Sequence, residues 1–202
     1  MRYHPSMTDT RNTLRSSLRE SRQKLSPAQQ ETASVALFNL LGNQDFFRVA
    51  QRIAFYQVAD GEIDPRMLLD LALSEGKSCF LPVIEQDNPE FVSFSPYDAN
   101  TELLPNKWGI AEPPASEVIS PTNFDVVFVP LVGFSKDCFR LGMGKGFYDR
   151  TFSFKIFNRR SSPLLVGLAH ESQLVNSFAM ESWDVRLDAV ATDKKIYRPD
   201  TA

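Results

Sequence analysis

Residues Asp125-Val126-Val127-Phe128-Val129-Pro130-Leu131 form a near-continuous apolar run. A strand with one wet face alternates apolar and polar residues; a run without alternation marks a strand covered on both faces, as in a parallel sheet. Leu164 to Ala169 repeats the pattern, and Arg52-Ile53-Ala54-Phe55-Tyr56 and Asp188 to Thr192 are shorter versions of it. Helical signals lie between. A first helix is expected from about Asp9 to Lys24. Ser26-Pro27-Ala28-Gln29 then reads as a new start, with Ser at the N-cap, Pro at N1 and Gln at N3 completing a capping box. That helix carries Val35, Phe38, Leu40 and Leu41 and stops at Gly42. Asp64-Pro65 opens a third, with Met67, Leu68, Leu71 and Ala72, closed by Gly76. Phe80 to Ile84 and Phe91 to Phe94 read as strands flanking a Gln86-Asp87-Asn88-Pro89 turn, residues 99–123 as irregular, and Gly146 to Phe157 as a last helix. Strands alternating with helices predict an α/β fold: a largely parallel central sheet flanked by helices in three Rossmann-like layers.

With 202 residues the chain is expected to be one domain spanning 1–202, large enough to bury about 70% of its unfolded surface. Its 43% hydrophobic and 23% charged residues exclude disorder, collagen and coiled coil. The longest strongly apolar stretch, Val126 to Phe134, holds nine residues against the roughly 20 that span a bilayer, so no membrane association is expected. The amino terminus lacks the apolar region of a secretory signal. Cys79 and Cys138 match no metal or redox spacing and read as reduced thiols, which makes the cytoplasm the expected compartment.

Charge is uneven. Residues 1–24 carry a net +4 and the remainder −7. Arg11, Arg15, Arg19 and Arg22 recur on one helical face. That stripe is either a solvated face or a basic surface meeting an anion. An acidic whole, with pI near 5.5, argues against nucleic acid as a partner.

The stretch that carries chemistry is Arg140-Leu141-Gly142-Met143-Gly144-Lys145-Gly146-Phe147-Tyr148-Asp149-Arg150. Alternating glycines let a ligand approach the backbone closely, and successive amides at a helix start can converge on an anion. Arg140 and Lys145 add cationic donors, and Asp149 is a hard oxygen ligand suited to a magnesium ion bridging phosphates. The pattern is neither a Walker A loop nor the dinucleotide fingerprint. It follows a buried strand, and ligands of parallel α/β sheets sit beyond strand carboxyl ends. A structural turn is the competing reading.

This stretch resembles the signature of the 5-formyltetrahydrofolate cyclo-ligase family, which is close to R-L-G-x-G-x-G-Y-Y-D. The resemblance extends over about residues 10–195, through Arg11-x-x-Leu14-Arg15, Ser26-Pro27, Asp60-Gly61-Glu62-Ile63, Lys107-Trp108-Gly109-Ile110-x-Glu112-Pro113, Val129-Pro130 and Asp184-x-x-x-Asp188. It implies ring closure of 5-formyltetrahydrofolate to 5,10-methenyltetrahydrofolate, with ATP as co-substrate and Mg2+ as cofactor. By matching positions, Arg11 and Arg15 hold ATP phosphates, with Arg11 standing where Lys is usual. Arg140, Leu141, Gly142, Met143, Gly144, Lys145, Gly146, Phe147 and Tyr148 form the ATP loop, in which Arg140 and Lys145 are the catalytic cations. Asp149 and Asp188 bind magnesium. Gln57, Glu62, Trp108 and Phe147 contact the folate; Phe147 replaces a common Tyr and keeps the aromatic face without the hydroxyl. The implied partners are small molecules, a reduced folate and ATP, for a monomer or weak dimer.

Each residue also has a plainer reading. Glu62 can be a solvated loop carboxylate, Asp188 a turn residue before a strand, Trp108 core, and Asp149 a first-turn charge. His170, without a placed partner, reads as structural. The rival functions are a sugar-phosphate isomerase or CoA-transferase-like enzyme, which share this broad architecture, and a non-catalytic Mg-nucleotide-binding module.

Overall fold

A computed structural model describes residues 7–84, 90–114, 119–159 and 162–200. Helices α1 (Met7–Gln23), α2 (Pro27–Leu41) and α3 (Asp45–Val49) precede strand β1 (Arg52–Ala54). Helix α4 (Arg66–Ser74) leads to β2 (Ser78–Val83) and β3 (Ser93–Tyr97), then to a small hairpin of β4 (Leu104–Pro105) and β5 (Ala111–Glu112). After β6 (Val126–Pro130) come a second hairpin, β7 (Gly133–Phe134) with β8 (Arg140–Leu141), and helix α5 (Phe147–Thr151). Strands β9 (Leu164–Ala169), β10 (Ala189–Thr192) and β11 (Ile196–Tyr197) complete the order.

The central sheet has seven strands in the order β11-β10-β9-β6-β1-β2-β3. The five inner strands are parallel, and β3 and β11 close the edges antiparallel. The apolar run forms β6 at the centre, where Val126, Val127, Phe128 and Val129 are all buried. Each such side chain contributes about 1.5–3 kcal/mol relative to exposure. One face of the sheet packs Phe55 and Phe128 against Leu37, Leu41, Leu68 and Ala72 of α2 and α4. The other packs Val127 and Val129 with Phe80, Phe94, Phe124 and Phe152. Helix α2 starts as its sequence dictates: the Ser26 hydroxyl accepts the Gln29 amide at 3.3 Å, and the Gln29 side chain accepts the Ser26 amide at 2.8 Å.

Several segments differ from expectation: α3 and β11 are additional elements, and the β4–β5 hairpin forms inside the 99–123 stretch that reads as irregular. The helix expected from Gly146 to Phe157 ends at Thr151 and tightens into a 3-10 turn over Ser153–Ile156. Lys155 on that turn is buried, and its ammonium donates to the Pro163 carbonyl at 2.7 Å and to Asp188 at 2.8 Å. The strand expected at Phe91 to Phe94 begins at Ser93; the Gln86-Asp87-Asn88-Pro89 turn lies outside the described residues. Both cysteines are free and buried, and burial pushes the Cys79 thiol up to about 12 and the Cys138 thiol up to about 11. No described helix is long and apolar enough to cross a membrane.

The topology locates the site. From β1 the sheet grows one way to β2 and, later in the chain, the other way to β6, β9 and β10. At such a reversal the crevice beyond the carboxyl ends of the strands is open to a ligand. Two loops border it: residues 55–65 after β1, and residues 131–146 after β6. Helix α1 crosses the same edge, seating Leu18 against Val132 and Leu141.

Candidate active site

The glycine loop runs from β8 into α5. Gly144 and Gly146 have φ of 93° and 69°, the left-handed region that a Cβ strains. The Arg15 guanidinium lies against Gly144, and its Nε donates to the Gly142 carbonyl at 2.9 Å. Arg140, only 5% exposed, pairs with Asp149: Nη2 stands 2.9 Å from Oδ1 and Nη1 3.0 Å. The same carboxylate oxygen accepts the Val185 amide at 3.1 Å. Lys145 is exposed at the loop's outer turn, with Met143 beside it in sequence also exposed.

The arginine stripe is a working face. Arg11 makes a two-pronged pair with Asp184, at 2.7 and 3.2 Å, and donates to the Ala179 carbonyl. Arg15 reaches the glycine loop. Arg19 and Arg22 both bind Asp60, each at 2.7 Å, and Gln23 donates to the same side chain. Arg22 is fully buried, and it also donates to the Asp60 and Leu131 carbonyls at 2.7 and 3.0 Å. One helix thus braces both loops of the crevice, with Arg11 and Arg15 toward the glycine loop and Arg22 on the 55–65 loop.

Glu62 lies on that second loop. Its side chain is 12% exposed, accepts the Ala59 amide at 3.2 Å, and stands 3.9 Å from Arg22 Nη1. Burial raises its pKa to about 7, outweighing the Arg22 charge and the Ala59 amide that pull it down. The solvated-carboxylate reading of Glu62 therefore fails. Gln57, just beyond β1, is half-buried. Tyr148 packs its ring on Phe94 and Phe152 and feels the charges of Glu62 and Arg140; its hydroxyl is buried without a hydrogen-bond partner among the described residues. Trp108 is 45% exposed on the β4–β5 hairpin, so it is not core. Its ring meets Phe147 edge-on at 6.3 Å, and Lys107 lies over it. His170 is structural: its backbone amide donates to the Gln173 side chain at 2.8 Å, and Nε2 contacts the Gly61 carbonyl at 3.2 Å.

The two aspartates expected to share a magnesium ion are engaged in separate pairs. Asp188 binds the Lys155 ammonium and accepts the Leu165 amide, both at 2.8 Å, at the amino-terminal edge of β9 and β10. Asp184 and Glu181 join Asp149 in the field of Arg11, and Asp184 is the one that binds it directly. A sequence signal existed for this. Asp188 directly precedes a buried strand of a parallel sheet, which places it at the edge opposite the ligand crevice, whereas Asp184 precedes that strand by a loop.

The model of the 5-formyltetrahydrofolate cyclo-ligase family matches residues 7–193. The chain belongs to this family. It is 35% identical over 182 residues to the 5-formyltetrahydrofolate cyclo-ligase of Haemophilus influenzae, covering 89% of this chain and 96% of that one. It is 33% identical to the Escherichia coli K12 enzyme of the same name, covering 89% and 98%. The solved structure of Aquifex aeolicus 5,10-methenyltetrahydrofolate synthetase superposes with a TM-score of 0.81 at 28% identity, covering 95% of this chain and 94% of that one. The cyclo-ligase family places the chain among ligases, not among the sugar-phosphate isomerases or CoA-transferases.

The buried Glu62 of this cyclo-ligase makes a stability prediction. Its native pKa, about 7, lies above the ordinary 4.5, so between those values the native state binds more protons than the unfolded state. Its contribution is therefore most favourable below about pH 4.5 and is lost as pH rises through about 7. Glu62→Gln removes the buried charge. Its melting temperature relative to wild type is expected to climb between pH 5 and pH 8. A difference that stays flat over that range rejects the raised pKa.

Proposed function

We propose that the chain closes the ring of 5-formyltetrahydrofolate to 5,10-methenyltetrahydrofolate, consuming Mg-ATP and releasing ADP and phosphate. The observation that carries this reading is the pairing, at one sheet reversal, of a cationic glycine loop with a buried carboxyl on the opposite loop. Arg15, Arg140 and Lys145 supply the phosphate side. Glu62, Gln57, Trp108 and Phe147 supply a polar and aromatic folate side.

The chemistry explains this division. An N-formyl group is amide-like, a poor electrophile whose oxygen cannot leave as hydroxide. Transfer of the γ-phosphoryl group to that oxygen makes the carbon iminium-like and turns the oxygen into a phosphate leaving group. The substrate's own N10 then attacks, so its proximity is built into the folate. The protein's task is to align two ligands and neutralise phosphate charge. Both cysteines are buried thiols of raised pKa, consistent with a route that uses no protein nucleophile.

Magnesium fits this residue set as an ion shared with the nucleotide. No cluster of three His, Cys, Asp or Glu side chains exists among the described residues, so an all-protein cage is not formed. Magnesium commonly takes one or two carboxylates and completes its shell with phosphate oxygens and water. Asp149 and Asp184 would hold it; Asp188, at the opposite edge of the sheet on the Leu165 amide, is framework. Its contribution there would be neutralisation of phosphate charge.

Lys145 is exposed and free of ion pairs among the described residues, so Lys145→Ala should fold normally. Its KM for ATP is expected to rise about tenfold, the loss of one charge-assisted contact, with the folate KM little changed. If only the folate constant moves, the loop serves the other ligand. The decisive assay for the reaction is the near-ultraviolet absorbance of methenyltetrahydrofolate after mixing the protein with 5-formyltetrahydrofolate and Mg-ATP, beside an ATP-free control. An ATP-dependent rise is expected. No rise from folded protein overturns the proposal.

A further inference from the structure

Ring closure leaves a proton to be placed, and this inference rests on the reaction proposed above. N10 begins as a secondary arylamine with one hydrogen. When its lone pair forms the bond to the formyl carbon, the N–H proton must depart so that the nitrogen can donate again as the C–O bond to phosphate breaks. A positioned acceptor typically contributes about 10²–10⁴-fold to such a step.

Among the described side chains that border the crevice, one stands out as an acceptor. Arg11, Arg15, Arg140 and Lys145 are cations. Asp149 and Asp184 are tied to buried arginines. His170 Nε2 is engaged by the Gly61 carbonyl, and burial lowers the ring's pKa. Tyr56 and Tyr148 are held protonated by burial, and the Tyr56 hydroxyl already donates to the Ile63 carbonyl at 2.6 Å. Glu62 differs from all of these. One oxygen accepts the Ala59 amide; among the described residues the other has only Arg22 Nη1 at 3.9 Å, beyond a hydrogen bond. Across from it the buried Tyr148 hydroxyl has no partner, an orphan of the kind that a polar ligand atom satisfies.

We propose that Glu62 is the general base of ring closure, taking the N10 proton as the C–N bond forms. The electron pair of the N–H bond stays on nitrogen, and the proton goes to the open Glu62 oxygen. The C–O bond then breaks with its pair leaving on phosphate, which yields the methenyl cation; the proton passes to solvent when product leaves. The charged and titratable groups facing Glu62 are Arg22 from α1, Asp60 on its own loop, Tyr56 beyond β1 and Tyr148 from α5. Of these only Arg22 favours the carboxylate, and it does so from too far to quench its basicity. A carboxyl with a pKa of about 7 is a stronger base than an ordinary one and still ionises near neutral pH.

The test separates phosphoryl transfer from cyclisation. Wild-type protein, Glu62→Gln and Glu62→Asp are mixed with 5-formyltetrahydrofolate and γ-labelled ATP in a rapid quench, and ADP and methenyltetrahydrofolate are counted separately. In Glu62→Gln, ADP should appear as a burst of about one per site while methenyl formation slows at least 100-fold. Glu62→Asp should restore part of the rate, and the acidic limb of the wild-type kcat profile should vanish in Glu62→Gln. The role is overturned if Glu62→Gln loses ADP burst and product together, if it keeps kcat and raises only the folate KM, or if the acidic limb persists. A wild-type protein that makes no product with ATP fails at the parent reading instead, and does so before any variant is compared. Melting temperatures of the variants, expected at or above wild type near pH 8, guard against misfolding.

Discussion

Asp149→Asn should lower kcat/KM by about 10³-fold, the scale of one preorganised electrostatic contact to a transition state, and should lower the melting temperature less than Asp149→Ala does. The choice of Asn matters. Asp149 Oδ1 accepts from Arg140 and from the Val185 amide, and an amide oxygen keeps both bonds. Only the negative charge goes, and with it the affinity for a hard cation. Alanine would leave Arg140, 5% exposed, without its partner and would mix a folding defect into the activity. The loss should therefore show as a raised magnesium requirement. Turnover near wild type at ordinary magnesium removes Asp149 from the metal site.

Arg22→Leu should cost about 3–5 kcal/mol of stability, the range for breaking a buried ion pair from one side. Set against a total of about 5–15 kcal/mol, that is a large fraction. At about 2–4 °C per kcal/mol for a chain of this size, thermal melting should fall by about 6–20 °C. The reason is geometric: three guanidinium nitrogens serve the Asp60 carboxylate, the Asp60 carbonyl and the Leu131 carbonyl. Arg22→Lys keeps the charge and loses the fork, so it should fall between the two. A drop under about 3 °C in Arg22→Leu would show that the 55–65 loop is held by other means.

Much of the fold was legible because burial leaves a mark in composition. The apolar runs at Val126 and Leu164 became adjacent parallel strands, and Ser26-Pro27 with Gln29 capped α2 as its side chains require. Local rules failed where a distant residue decided the outcome. The last helix broke after Thr151 because Lys155 reaches Asp188, 33 positions away. Arg140, Asp149 and the glycine spacing were visible as a group because one loop carries them. The stripe of arginines was visible as a face, but its meaning was not: a basic stripe reads equally as solvated surface until Asp60, Asp184 and the Gly142 carbonyl arrive opposite it.

The sequence by itself determined a parallel α/β framework, a cationic glycine loop and the family, since each depends on residue types at fixed short spacing. Tertiary structure alone decided which carboxylates do what. Asp184 and Asp188 differ by four positions and are the same residue, yet one meets Arg11 beside the crevice and the other meets Lys155 at the far edge of the sheet. Glu62 became a carboxyl of raised pKa because folding buries it, and that desolvation outweighs the charge of Arg22, 40 positions earlier in the chain on α1. Ionisation depends on desolvation and on the charges nearby in space, and neither is written in the order of residues along the chain.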